Sequence, residues 1–176
     1  SYELDSIKEK IYVKDSLESE FVIKTTAIGP VISELKINGF ADYLPSENNN
    51  NPYKDKIMTF KWTGFEISDD VFSFYRINTA KNWEDFKSAL KDFCVPAQNF
   101  TYADIYGNIG YHAAGRIPIR KTNNNNNYLF PAEDELEWTG FIDFEKMPNL
   151  YNPKEGFIVT ANTDPFDWLK DEKEKF

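Results

Sequence analysis

The stretch QNFTYADIYGNIGYHAAGRIPIR, residues 98–120, decides the fold of this chain. Apolar and polar residues alternate on both sides of a short turn, which is the pattern of two paired β-strands. Within the turn, Gly107 supplies the positive φ that a tight hairpin needs. The stretch therefore predicts a β-hairpin whose second strand contains His112, the sole histidine of the chain.

Two helices are predicted immediately before the hairpin. Ser68 and Asn82 each stand where a side chain can cap a helix N-terminus. Apolar residues recur at helical spacing after each cap, namely Val71, Phe74 and Tyr75 in the first helix, and Trp83, Phe86, Leu90 and Phe93 in the second. Pro96 ends the second pattern. The expected role of these stripes is packing against a sheet.

Strands are predicted on either side of this region. Residues 17–25 alternate as a strand with one buried face does, and a corner at Gly29-Pro30 separates them from a second apolar segment. Gly156–Val159 is predicted as a further short strand. The chain is accordingly predicted to be a single α+β domain over residues 1–176, with a mostly antiparallel sheet and at least two helices.

Composition limits the partners of this chain. Acidic residues outnumber basic residues by 29 to 20, so the net charge is −9. We therefore expect neither nucleic acid, which favours a basic face, nor an anionic membrane surface as a partner. Cys94 is the sole cysteine, which excludes an intrachain disulfide.

Three patterns suggest chemistry of their own, and each has a simpler structural explanation. A Ser-His-Asp triad would have to use His112, whose alternating position instead predicts that it packs or faces solvent. Asp164, Asp167 and Asp171 offer carboxylates for a hard cation, but an acidic solvated surface explains them better. The acidic run 133–137 fits a loop better than the paired carboxylates of a glycosidase. No metal site and no cofactor site is predicted in this chain.

Taken in order, four blocks of the chain resemble one known family. They are IGPVI, FYRINTAKNWEDFKSAL, PAQNFTYADIYGNIGYHAAGRIPIR and EWTGFIDFEKMPNLYNPKEGFIVTANTDP. From about Ser16 to Pro165, they are similar to consecutive blocks of the β chain of the penicillin amidase (penicillin acylase) family. The resemblance implies the four-layer αββα fold of the N-terminal nucleophile hydrolases. It also implies hydrolysis of acyl amides, such as the N-acyl side chains of β-lactams, through an acyl-enzyme on an N-terminal serine.

The resemblance implies one site residue in this chain. Asn162 corresponds to the family's oxyanion donor, whose side-chain amide stabilises the tetrahedral intermediate. The alternative is a turn asparagine before Asp164-Pro165. Ser1 and the residues after it do not match the family's nucleophile segment, so no nucleophile is expected in this chain.

We interpret the chain as an internal segment of a β chain that is inactive alone. Its implied partners are the remainder of that β chain and the α chain, with a small acyl amide as substrate. Relatives often hold calcium at acidic residues before this segment and are often exported, so the resemblance allows both for the parent protein.

A second class of function starts from the aromatic content of ten Tyr, fifteen Phe and four Trp. A free-standing module of this composition would bind carbohydrate or peptide through an exposed Trp or Tyr face. That function requires several aromatic side chains exposed in one patch. The hydrolase segment instead requires an apolar interface that meets the missing strands.

Overall fold

The computed structural model describes residues 3–15, 18–33, 56–120, 138–161 and 166, and the following account concerns these residues. They fall into two compact units, Ser1–Trp62 and Thr63–Phe176, and each unit is described by itself. The single domain over residues 1–176 stays a prediction.

The first unit contains an antiparallel strand pair. β1 (Asp5–Ile11) runs beside β2 (Ser19–Thr25), with the first residue of β1 opposite the last residue of β2. The predicted corner follows β2, where the Thr26 amide donates to the Gly29 carbonyl at 2.9 Å. A Cβ on Gly29 would lie 2.0 Å from the Phe60 carbonyl oxygen, so only glycine fits there. The sequence did not predict β1.

The second unit begins with the two predicted helices. α1 spans Asp70–Thr79 and α2 spans Trp83–Ala89, which a single 3-10 turn extends through Leu90–Asp92. Asn82 caps α2 as predicted, because its side chain accepts a hydrogen bond from the Asp85 amide at 2.9 Å.

The predicted cap of the first helix is wrong. Asp69 occupies the N-cap position of α1, and its side chain makes no capping hydrogen bond. The Ser68 hydroxyl donates to the carboxylate of Asp70 at 2.5 Å, so it is not available to cap the backbone. A serine hydroxyl near a helix start can bond to a nearby side-chain acceptor in place of the backbone, and here the acceptor is an aspartate carboxylate.

The two predicted apolar stripes have different outcomes. The stripe of α2 and its extension is buried, and Trp83, Phe86, Leu90 and Phe93 form a core cluster with Ala114. The stripe of α1 is largely exposed, since Val71, Phe74 and Tyr75 all lie at the surface of the described residues. The fully buried residue of α1 is Ser73, whose hydroxyl donates to the Ala89 carbonyl at 2.6 Å. A hydroxyl lets the two helices approach closely while its hydrogen bond is satisfied.

The predicted hairpin is confirmed. β3 (Gln98–Ala103) pairs antiparallel with β4 (Ile109–Ala114), and Gly107 in the turn has φ +85°. A separate antiparallel pair joins β5 (Pro118–Arg120) to β6 (Trp138–Phe141). β7 (Asn149–Tyr151) pairs antiparallel with the other edge of β4, which gives the order β3–β4–β7.

The central strand β4 is buried on both faces. Ala114 packs on the helix side, where a second residue of the same parity, Gly110, touches Trp83. Tyr111 and Ala113 belong to a second core cluster on the opposite face. One face of β4 therefore packs against the helices, and the other packs against Ile142, Met147 and Ile158.

The strand predicted at Gly156–Val159 is not formed in the described residues. Gly156 closes a turn by donating its amide to the Pro153 carbonyl at 3.0 Å, with φ +74°. Beyond it the chain joins no ladder, because no described strand runs alongside to share its hydrogen bonds. Exposure still alternates, with Phe157 and Val159 exposed and Ile158 half-buried.

The predicted α+β class is confirmed, with antiparallel pairing throughout the described strands and two α-helices. In the part of the chain that the structure describes, no helix combines the length and apolar character needed to cross a bilayer.

Candidate functional site

The candidate site is the end of the segment that leads to Asn162. Asn162 itself lies outside the described residues, as does Ser1. What the structure provides is the scaffold on both sides of this position, namely residues 149–161 before it and Phe166 after it. The geometry of that scaffold determines how firmly the segment is held.

Asn152 fastens the start of the segment to the hairpin. Its backbone has φ +49°, and its amide donates to the Ile109 carbonyl at 2.9 Å. Its side-chain oxygen accepts from the Ile109 amide at 2.9 Å, and its side-chain nitrogen donates to the Asn108 side chain at 2.8 Å. Asparagine tolerates this left-handed conformation better than most residues. One residue thus ties the end of β7 to the beginning of β4.

The hairpin turn that receives this tie is itself tightly hydrogen-bonded around Asp104. The carboxylate accepts from the Asn108 side chain at 2.7 Å and from the amides of Asn108 and Tyr106, each at 2.9 Å. It also accepts from the Tyr102 hydroxyl at 3.0 Å. The bond from the Asn108 side chain is the main reason that the pKa of Asp104 lies below its ordinary value. The turn is therefore a rigid support.

Apolar packing holds the segment on both sides of Asn162. Ile158 and Phe166 are both partly buried against the same core cluster of Tyr111, Ala113 and Met147. Ile158 and Phe166 therefore contact the same face of the sheet, four residues before and four residues after Asn162 in the sequence.

Asp70 forms a second polar centre, at the start of α1. Burial opposes its ionisation, but hydrogen bonds from the Ser68 hydroxyl and from the amides of Cys94 and Val95 hold its pKa below the ordinary value. The two amides lie 2.5 and 3.2 Å from the carboxylate. Because this bonding joins α1 to the chain that leads into β3, its role is structural.

His112 packs in the interior and does not face solvent, which settles the two alternatives that its spacing left open. The imidazole is fully buried and stacks on Phe144, with ring centroids 4.5 Å apart. Nδ1 lies 2.6 Å from the Ala113 carbonyl oxygen, and Nε2 has no hydrogen-bond partner among the described residues. Burial lowers the pKa of His112. No described hydroxyl or carboxylate meets the imidazole, so these residues form no Ser-His-Asp triad.

Within the described residues, no three His, Cys, Asp or Glu side chains form a group that could bind a metal. The acidic residues Asp164, Asp167 and Asp171 lie outside that part of the chain, as does the run 133–137. Asp104 and Asn152 were not among the residues predicted from the sequence. Their signal was the turn chemistry of Asp and Asn beside Gly107 and Pro153.

Comparison with known proteins gives one consistent result. The family model described as penicillin amidase matches residues 1–173. Penicillin G acylase of Escherichia coli is 31% identical over 104 residues, which are 59% of this chain and 12% of that protein. Penicillin acylase 2 proenzyme of Pseudomonas sp. (strain SE83) is 27% identical over 156 residues, which are 88% of this chain and 18% of that protein.

A third similar protein is the acyl-homoserine lactone acylase QuiP of Pseudomonas fluorescens, which is 30% identical over 102 residues, or 55% of this chain and 12% of that protein. Among solved structures, a thermostable penicillin G acylase from Alcaligenes faecalis matches with a TM-score of 0.67 and 25% identity. That match covers 92% of this chain and 26% of the solved chain. The predicted N-terminal nucleophile hydrolase fold is thereby confirmed. This chain spans less than a fifth of the length of the three proteins compared by sequence.

Proposed function

Since this chain belongs to the penicillin amidase family, whose model matches residues 1–173, we propose that it works as part of a hydrolase that cleaves acyl-amide bonds. The similar proteins support this activity, because they are named as penicillin acylases and acyl-homoserine lactone acylases. The proposed substrates are small acyl amides, among them the N-acyl side chains of β-lactams. An antibiotic-related reaction is accordingly the proposed setting.

The proposed nucleophile is a serine at the N-terminus of a processed chain, outside these 176 residues. Its hydroxyl attacks the amide carbonyl, and its own α-amino group accepts the proton, since such a group has a pKa of about 7.7–8.0. The amine leaves, and water then releases the acyl group from the serine. The proposed partners are therefore the polypeptide segments of the parent that supply this serine and complete the sheets.

Asn162 is the residue of this chain that we assign to the chemistry. Its side-chain amide would donate a hydrogen bond to the oxyanion of the tetrahedral intermediate, and it would do so at any working pH because an amide does not titrate. The observation that supports this role is that Ile158 and Phe166, four residues before and after Asn162 in the sequence, pack on one core cluster. A donor is effective only when it is held in place before the charge develops.

The experiment compares Asn162→Ala with the unchanged protein, in the full gene product that contains this chain. A chromogenic acyl p-nitroanilide reports amide cleavage. Removal of one oxyanion donor lowers kcat by about 10²–10³-fold in other enzymes, and we expect a loss of that size with little change in KM. Asn78→Ala, at an exposed position of α1, is the matched control and should leave kcat unchanged.

Two results would contradict the proposal. An Asn162→Ala enzyme with kcat within about twofold of the unchanged enzyme would remove Asn162 from the oxyanion hole. Turnover by the isolated 176-residue chain that disappears in Ser1→Ala would place the nucleophile inside this chain. We expect no turnover by the isolated chain.

The alternative function is a module that binds carbohydrate or peptide. One observation favours it, namely that the exposed rings of Phe72 and Tyr75 stack 6.3 Å apart on α1. Exposed aromatic rings of this kind offer apolar surface to a ligand. Binding of oligosaccharides by the isolated chain, lost in Tyr75→Ala, would support this alternative.

A further inference from the structure

His112 is a buried titratable group that the proposed reaction does not use. It lies in the middle of β4, directly opposite Phe100 of β3 and Asn149 of β7. Neither of these neighbours titrates. A carbonyl oxygen only accepts hydrogen bonds, so the contact between Nδ1 and the Ala113 oxygen at 2.6 Å places the proton on Nδ1. Nε2 therefore carries a lone pair in the neutral ring.

The geometry around the ring disfavours the protonated form. An imidazolium has two N–H donors, and the described residues offer no acceptor to Nε2. A buried N–H without an acceptor is costly, and a buried charge is costlier still. The charged groups that act on the ring are Lys87 of α2, which opposes protonation, and Glu145, which favours it.

A short turn covers the ring. Phe144–Lys146 forms one turn of 3-10 helix, and the Phe144 ring lies nearly parallel to the imidazole, at an interplanar angle of 14°. Glu145 fastens this turn to the helices through ion pairs with Lys87 at 3.4 Å and Lys91 at 2.9 Å. The Lys91 ammonium also lies 5.5 Å from the centre of the Phe144 ring. Two kinds of contact thus hold the turn over the imidazole: the ion pairs of Glu145 at the surface, and the stacking of Phe144 on the neutral His112 ring in the interior.

We propose that His112 and the Phe144–Lys146 turn form an acid-sensitive latch, which is closed when the imidazole is neutral and opens when the imidazole takes up a proton. Opening brings Nε2 into contact with water, which supplies the missing acceptor. The turn leads directly into Met147 and β7, which pairs with β4 and is followed by Asn152. Acid would therefore loosen the sheet at the start of the segment that carries Asn162.

The direction of the pH effect follows from linkage. The pKa of His112 is lowered in the closed state, whereas an exposed histidine has a pKa of about 6.5. The closed state is therefore fully favoured above about pH 6.5 and loses its advantage as the pH falls toward the lowered pKa. The loss reaches about tenfold in the opening equilibrium for every pH unit that separates the two pKa values.

Hydrogen–deuterium exchange followed by mass spectrometry tests this latch in the full 176-residue chain. The peptide that contains residues 143–150 reports opening through its amides, including the Met147 amide, which donates to Phe144 at 3.1 Å. Exchange at the imidazole C2 position reports the protonation of His112 itself. We expect the protection of these amides, corrected for intrinsic exchange rates, to fall between about pH 7.5 and pH 5.

His112→Phe is the decisive variant, because phenylalanine keeps an aromatic ring against Phe144 and does not titrate. We expect its turn to show the same corrected protection at both pH values. An unchanged acid-induced loss in His112→Phe would overturn the latch. If that variant does not fold, the His112 pKa and the amide protection of the turn in the unchanged chain test the proposal. A His112 pKa at or above about 6.5, or constant protection of the turn from about pH 7.5 to pH 5, would overturn the proposal, and a lowered pKa with falling protection would support it.

Discussion

Gly110→Ala is the sharpest test of how the helices sit on the sheet. A Cβ at this position would lie 2.4 Å from Cζ3 and 2.7 Å from Cε3 of Trp83, both atoms of the six-membered indole ring. That ring is buried and cannot move aside easily. Its centroid lies 5.2 Å from the Tyr151 ring, 5.6 Å from the Tyr102 ring and 5.9 Å from the Phe86 ring. The added methyl group therefore displaces either the indole or the strand.

The magnitude follows from this confinement. Overpacking of a well-packed core costs about 1–3 kcal/mol, and contacts as short as these place Gly110→Ala in the upper half of that range. Urea unfolding of the 176-residue chain, followed by tryptophan fluorescence and circular dichroism, measures the free energy of unfolding. We expect the midpoint to fall without a change in slope.

A double-mutant cycle with Trp83→Phe isolates the clash. Phenylalanine removes the outer part of the indole ring, so Gly110→Ala should cost clearly less in that background. Coupling of about 1 kcal/mol or more is expected between residues in such direct contact. The steric argument is refuted if Gly110→Ala costs less than about 0.5 kcal/mol, or if its cost is the same in the unchanged chain and in the Trp83→Phe variant.

Two further predictions concern hydrogen bonds. Ser73→Ala removes the buried hydroxyl that donates to the Ala89 carbonyl, and it should lower the free energy of unfolding by about 1–2 kcal/mol in the same urea assay; a cost near zero would show that the bond contributes nothing. Asp104→Asn tests the turn. Because the pKa of Asp104 is lowered on folding, its contribution is present above the unfolded pKa of 3.8 and is lost as the pH falls through the lowered value. The variant should be less stable than the unchanged chain at about pH 7, and this difference should shrink at about pH 3, whereas a constant difference would contradict the linkage.

The features that the sequence predicted are those that local pattern controls. The hairpin around Gly107 and the buried stripe of α2 depend on residues within one or two turns of each other, and both are confirmed. The family motifs were equally local, and they led to the family and the fold. Asn162, the one site residue taken from those motifs, lies outside the described residues and stays a prediction.

The errors arose where distant residues compete with a local pattern. The apolar residues of α1 predicted a buried stripe, yet the face toward α2 carries Ser73, because a hydroxyl bonded to Ala89 fits between closely packed helices. Ser68 donates to Asp70, which itself binds the Cys94 amide 24 residues away. Composition alone indicates none of these partners.

The same limitation applies to the supports of the candidate site. The Asn152 side chain accepts a hydrogen bond from the amide of Ile109, 43 residues away, and spacing along the chain does not predict that pair. The environment of His112 likewise depends on Phe144, which no local pattern connects with the hairpin. Turn chemistry predicts that an Asn or Asp bends the chain, but not which strand it fastens.

The burial of β4 on both faces has a consequence for how this protein tolerates change. In a strand with one solvent-exposed face, every second residue can vary, so only alternate positions are restricted in side-chain type. Here Gly110 meets an indole, Tyr111 and Ala113 fill one layer, and His112 and Ala114 fill the other. All five consecutive residues from Gly110 to Ala114 are therefore restricted in side-chain type. Substitutions introduced for engineering are better placed at the exposed hairpin tip, at Ile105 and Tyr106.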